Sequence, residues 1–192
     1  LSISSADTGE ATVTSSLTFT SANWDTAKTV TVTGVDDDII DGTQTSTITV
    51  SIIDGISDNA FDAVADQTVS VTTTDDDVAG FTIAETSGST GVDESGSTDL
   101  FTIVLDTQPS SDVVLSITSS DTGEATVESL IQFTSANWDT PQNVTVTGVD
   151  DGIIDGTQTS TITVTIVDAI TDDDFDAVAD QTVSVTTTDD DV

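Results

Sequence analysis

The sequence predicts an all-β fold, an antiparallel β-sandwich carried in tandem repeats of 114 residues. Three observations lead there. Val and Ile alternate with Thr and Ser along most of the chain, as in "NVTVTGV" and "QTVSVTTT". That is the period-two pattern of strands with one buried face. Pro occurs only twice and Gly falls mostly between these runs, so the breaks sit where turns belong. The chain also matches itself at a constant offset of 114: residues 1–78 align with 115–192, and 62 of those 78 positions are identical.

The repeat sets the expected domains, an incomplete copy at 1–78 and a complete one at 79–192. A unit of this length is close to an immunoglobulin-like sandwich of about 100 residues and too long for a solenoid repeat. Seven strands are expected in the complete copy. They are "FTIAE" at 81–85, "DLFTIVL" at 99–105, "VVLSITS" at 113–119, "SLIQFTS" at 129–135, "NVTVTGV" at 143–149, "STITVTIV" at 160–167 and "QTVSVTTT" at 181–188. Thr is β-branched and polar, which suits the wet face of each. The first copy has no counterpart of residues 79–114 and therefore lacks its first two strands. Trp24 and Trp138, each in "ANWDT", are expected to pack beside a turn, and Phe61 and Phe175 to plug one end of each sandwich.

Charge narrows the function. Against 36 acids stands one basic residue, Lys28, for a formal net charge of −35. Such imbalance is common in disordered chains, but disordered acidic tails do not carry strand alternation of Val and Ile. A surface this negative repels phosphates, so nucleic acid and anionic membranes are poor partners. No run of 18 apolar residues exists to cross a membrane as a helix. Cys and His are absent, which removes disulfides, thiolate and imidazole metal ligands, and the commonest general base. With no His to activate a Ser or Thr, and little aromatic or Arg context for a two-carboxylate hydrolase, the chain is read as non-enzymatic. Lys28 aligns with Gln142, so no isopeptide bond is common to both copies. The sequon at Asn143 aligns with Thr29 and is read as an ordinary strand residue.

Thirty-one of the acids are Asp, a residue of turns and of calcium loops. Each copy holds two dense acidic motifs. "GVDDGIIDGT" carries Asp150, Asp151 and Asp155, and its counterpart carries Asp36, Asp37, Asp38 and Asp41. "TTTDDD" carries Asp189, Asp190 and Asp191, with Asp75, Asp76 and Asp77 in the other copy. The first motif joins two strands and the second leaves the last strand. Adjacent carboxylates about 6 Å apart repel by roughly 0.7–3 kcal/mol per pair, depending on the effective dielectric. A Ca²⁺ ion, which takes 6–8 oxygen ligands, would turn that repulsion into attraction. Two solvated acidic loops screened by salt are the equal alternative.

"TTTDDDVAGFTIAE" resembles the junction between tandem Calx-β domains, where an Asp triplet ends one domain and a short Ala-Gly link starts the next strand. "VDESGSTDLFTIVLD" resembles that family's Glu-containing strand entry, "NVTVTGVDDGIIDG" its strand and acidic loop, and "QTVSVTTTDDD" its closing strand. The resemblance implies calcium held at one end of the sandwich by Glu94, Asp150, Asp151, Asp189, Asp190 and Asp191, with Asp155. A further loop acid falls near Asp121 or Glu124, where "SSDTGEATV" departs from the family pattern. In the first copy the same reading names Asp36, Asp37, Asp41, Asp75, Asp76 and Asp77. "FTSANWDTPQNVTVTGVDD" also resembles tandem modules of large secreted bacterial surface proteins and adhesins.

The expected function is thus a calcium-stabilised spacer or fibre module at the cell surface. Its partners would be neighbouring repeats of the same or identical chains, with strand exchange and head-to-tail growth into a fibre. The alternatives are a calcium sensor or a glycan-binding module. Near-equal acids in both copies argue against a tuned sensor, and the lack of aromatic-rich loops argues against a glycan reader.

Overall fold

The computed structural model describes residues 1–191, which pack as two compact units, Leu1–Asp76 and a second that begins at Asp77. The first contains β1 (Ser2–Ser5), β2 (Ala11–Val13), β3 (Val32–Gly34), β4 (Gln44–Ser51) and β5 (Gln67–Thr73). A three-stranded sheet runs β1-β4-β5, and β2 pairs with β3.

The second unit contains β6 (Phe81–Glu85), β7 (Thr90–Asp93), β8 (Thr98–Leu105), β9 (Val113–Ser119), β10 (Ala125–Val127), β11 (Leu130–Phe133), β12 (Gln142–Gly148), β13 (Gln158–Ile166) and β14 (Gln181–Thr188). They form a β-sandwich. One sheet has the order β10-β12-β8-β6 and the other β11-β9-β13-β14-β7. Neighbouring strands are antiparallel except β7 and β14, which run parallel in the register Val185↔Thr90 to Thr188↔Asp93.

Alternation makes the core. Along β8, Phe101, Ile103 and Leu105 point inward; along β9, Val113, Leu115 and Ile117 do so. They meet Val144 and Val146 of β12, Ile162 and Val164 of β13, and Val183 and Val185 of β14 in one apolar cluster. Phe175, in a single 3-10 turn before β14, closes that cluster from one end, and Trp138 packs partly buried at its margin.

All seven expected strands of the second unit form, with ends shifted by at most three residues. Two more, β7 and β10, were not anticipated. Both are short, and β7 is broken out of its surroundings by "TSGS" on one side and "ESGS" on the other. The segment without counterpart in the first unit therefore supplies three strands, β6, β7 and β8, rather than two. The consequence is visible in side chains at matching positions of the repeat: Phe61 and Trp24 are exposed, whereas Phe175 and Trp138 pack.

At the end of the sandwich opposite the β12–β13 loop, the connection from β8 to β9 is fastened by Asp172, which lies between β13 and β14. Its Oδ2 accepts from the Ser111 N–H at 2.7 Å and the Ser110 hydroxyl at 2.8 Å, and its Oδ1 from the Asp174 N–H at 3.2 Å. Burial disfavours the charge, but these donors outweigh it and hold the Asp172 carboxyl below the usual range. Asp172→Ala leaves those donors without partners, and a loss of about 1.5–3 kcal/mol is expected for hydrogen bonds to a charged group, read as the shift in urea midpoint. No change in midpoint would show that the fastening contributes nothing.

Candidate metal centre

Four chain segments converge at one end of the second sandwich. Alternation along β7 buries Thr90 and Val92; one period further on, Glu94 takes the next inward place. Its N–H donates to the Thr188 carbonyl of β14 at 3.1 Å, which fixes the backbone. The Glu94 side chain is 1% exposed, and neither Oε1 nor Oε2 has a hydrogen-bond partner. Just before it, the Asp93 carboxylate accepts from the Ser95 hydroxyl, and the Asp93 N–H donates to the Ser97 hydroxyl oxygen at 2.7 Å, which holds the turn.

Glu124 enters from the β9–β10 loop. Its carbonyl accepts from the Val149 N–H at 2.9 Å, tying it to the start of the β12–β13 loop. Its side chain is buried, and Oε2 lacks a partner. That loop brings Asp155, and the end of β14 brings Asp189 and Asp191. Asp189 acts as the loop's anchor: Oδ2 accepts from the N–H groups of Asp155 at 3.0 Å and Gly156 at 2.8 Å, and Oδ1 from Asp191 N–H at 2.8 Å. The Asp191 Oδ2 atom is buried without a partner.

Two trios of carboxylate oxygens result, each with its members within 4.8 Å of one another: Glu94, Glu124 and Asp155; and Glu94, Asp189 and Asp191. Glu94 belongs to both. The electrostatics follow from this crowding. Burial, then the charges of Asp189, Asp151, Glu124 and Asp155, push the Glu94 carboxyl up to about 7. Burial followed by Asp155 raises Glu124, and burial followed by Asp189 raises Asp191. Asp189 is held low by its backbone donors, that of Gly156 first. The chain's one basic side chain, Lys28, lies in the other unit over the Phe19 ring at 5.3 Å, so the second unit has no side-chain cation of its own.

Of the residues expected from sequence, Glu94, Asp155, Asp189 and Asp191 come together. Asp151 accepts from the Ile153 N–H at 2.7 Å, shaping the loop, and reaches Glu94 through its charge. Asp150 and Asp190 lie close enough to raise Asp191 but are not in either trio. Glu124 joins where the motif departed from the family pattern. In the first unit, Asp75 anchors the loop as Asp189 does, accepting from Asp41 N–H at 3.0 Å and Gly42 N–H at 2.8 Å, and Asp37 accepts from Ile39 N–H at 2.9 Å. Asp36 and Asp76 line a cleft beside β3 and β5. Glu10 is raised by burial and then by Asp41, Asp37, Asp7 and Asp75. Among the described residues, both trios lie in the second unit; the first has no counterpart of Glu94, which falls in the segment it lacks. Asp77 opens the second unit.

No family model matches the sequence, and no curated protein matches it. Among solved structures the chain is similar to the apo-form Calx CBD1 domain, with a TM-score of 0.42 and 14% identity over 58% of this chain and 98% of that one. It is similar to domains 4 and 5 of the S-layer protein SbsC, with a TM-score of 0.43 and 20% identity over 97% of this chain and 70% of that one. Domains 4–9 of SbsC give a TM-score of 0.47 and 19% identity over 98% of this chain and 22% of that one. Among the described residues, no helix is long and apolar enough to cross a membrane.

Proposed function

We propose that the repeat is a calcium-stabilised structural module of an extracellular, repetitive surface protein, with no catalytic role. The single observation that carries the reading is Glu94: a carboxylate 1% exposed, both oxygens unpartnered, facing four other acids with no basic side chain in its unit. A buried carboxylate left without a partner is costly, and a cation is the complement the site's chemistry fits. All donors are hard oxygens, which suits Ca²⁺ rather than a thiophilic or imidazole-seeking metal. Glu94, Asp189 and Asp191 would hold the ion, with Glu124 and Asp155 on its other side, and the ion would supply the positive charge that lets the four segments close. The spacer role rests on the near-identity of the two copies, which multiplies a surface without diversifying it.

The test is calcium titration of the metal-free chain by calorimetry and thermal melting. A ligand at a hundredfold excess over Kd stabilises by about 2.7 kcal/mol, a readily measured rise in melting temperature. Heat of binding with that rise is the expected result, and its abolition by Asp189→Asn together with Asp191→Asn would place the ion. No heat and an unchanged melt at millimolar calcium would overturn the reading.

A further inference from the structure

We propose that Thr187 is a positioning residue of the metal centre, and that the consecutive residues Thr187, Thr188 and Asp189 set the places of Glu124, Glu94 and Asp155 before any ion arrives. The inference rests on the calcium reading above and extends it to a residue outside both trios. Thr187 stands at an odd point in β14. Alternation sends Val183, Val185 and Thr187 inward, 2%, 0% and 0% exposed. The first two join the apolar core; the third puts a hydroxyl where the pattern calls for another apolar side chain. A buried hydroxyl needs a partner, and this one donates to the Glu124 carbonyl at 3.4 Å.

The same carbonyl accepts from the Val149 N–H at 2.9 Å, so Glu124 is held between the β12–β13 loop and the end of β14. One residue further on, the Thr188 carbonyl accepts from the Glu94 N–H at 3.1 Å. This bond continues the parallel β7–β14 register, in which Thr188 stands opposite Asp93. The next residue, Asp189, takes the N–H groups of Asp155 and Gly156. Each of the three therefore fixes one of Glu124, Glu94 and Asp155, which are the members of one trio. They use a hydroxyl, a carbonyl and a carboxylate in turn. Three neighbours on one strand move as a unit, so the spacing among the three carboxylates is inherited from β14 rather than from the ion. Partners that orient metal-binding groups in this way tune the affinity of the site.

The hydroxyl bond recurs in the first unit at the matching positions. Thr73 donates through its hydroxyl to the Glu10 carbonyl at 3.0 Å, and the Val35 N–H reaches the same carbonyl at 2.9 Å. Two residues on, Asp75 takes the N–H groups of Asp41 and Gly42. The threonine and the aspartate that follows it thus do the same two tasks in both copies.

The experiment compares Thr187→Val and Thr187→Ser in the full chain by three readouts. These are calcium affinity followed at the Glu94 and Asp191 amide resonances, melting of the metal-free protein, and the metal-free carbonyl carbon resonance of Glu124. Valine keeps the shape and loses the hydroxyl. It should leave metal-free melting unchanged, move the Glu124 carbonyl resonance and weaken calcium binding about tenfold, the scale seen when a group that orients a metal ligand is removed. Serine keeps the hydroxyl and loses the methyl, so it should melt earlier but retain the parent's carbonyl resonance and calcium affinity. In a Glu124→Gln background, Thr187→Val should add no further loss of affinity, since it acts through Glu124. An unchanged affinity or carbonyl resonance in Thr187→Val would overturn the proposal and leave the calcium reading standing. So would an affinity that falls in both variants in step with melting, which would make the role of Thr187 merely structural. A parent chain that does not respond to calcium would overturn the calcium reading and this inference with it.

Discussion

Gly148→Ala is expected to cost the second unit about 3 kcal/mol or more, seen as an early urea transition of Trp138 fluorescence in a Trp24→Phe background. The new methyl would meet the Asp93 carbonyl oxygen at 2.0 Å, its carbon at 2.9 Å and the Val92 side chain at 3.2 Å. Backbone atoms on both sides prevent the relief a flexible side chain would give, so the cost lies at the upper end of overpacking. Gly148 also donates its N–H to the Ser97 carbonyl at 3.0 Å, which pins the same turn from below. Because the displaced atoms belong to the end of β7, the substitution also moves Glu94, and any calcium response should weaken with stability. Gly156→Ala is the control. Its φ of 74° makes alanine strained, by about 1–2 kcal/mol, but it faces open space. Equal losses at the two positions would show that backbone conformation, not the close crossing of β7 over β12, sets the cost.

Without calcium, the melting temperature of the second unit is expected to fall as pH rises from about 5 to 8. Glu94 moves from the ordinary 4.5 to about 7 in the folded state, through burial first and then the charges of Asp189 and Asp151. A raised carboxyl means the folded protein binds the proton more tightly than the unfolded one. The contribution is therefore fully present below pH 4.5 and is lost as pH climbs through about 7. Glu124 and Asp191 are raised too, and act in the same direction. Asp189 and Asp172 are lowered, so their contributions are lost only in more acid solution. Glu94→Gln should flatten the profile, raise the metal-free melting temperature at pH 8, and remove most of the calcium response. Calcium should help most at pH 8, where no proton competes for the carboxylate. Parallel pH profiles for the two proteins would show that Glu94 does not carry the dependence.

The strands that build the core could be read because their burial is written in alternation: Phe101, Ile103 and Leu105 are inward in sequence as in space. β7 could not be read this way, since "TGVDE" holds one large apolar residue and an acid at its next inward position. That acid is Glu94, named through family resemblance rather than through its strand. Had β7 been recognised, period two alone would have aimed Glu94 into the sandwich. Glu124 was harder. Its place depends on the Val149 N–H bonding its carbonyl, a contact across 25 residues that no local pattern encodes. The Asp runs mark the end of the sandwich where the carboxylates gather but not the division of labour within them. Asp189 spends its oxygens on backbone N–H groups and Asp151 shapes its own loop, a distinction set by register.

The parallel register of β7 with β14 sets how the second unit meets tension. A pull applied at Asp77 and Asp191 draws the early strand one way and the last strand the other, along their common axis. The bonds between them are then sheared together rather than peeled in turn. Across the antiparallel β13–β14 hairpin, a pull from its open end at Gln158 and Thr187 would unzip one rung after another. The same sandwich should thus yield at much higher force when stretched through its ends than through that hairpin, a contrast that single-molecule stretching from the two pairs of points would measure.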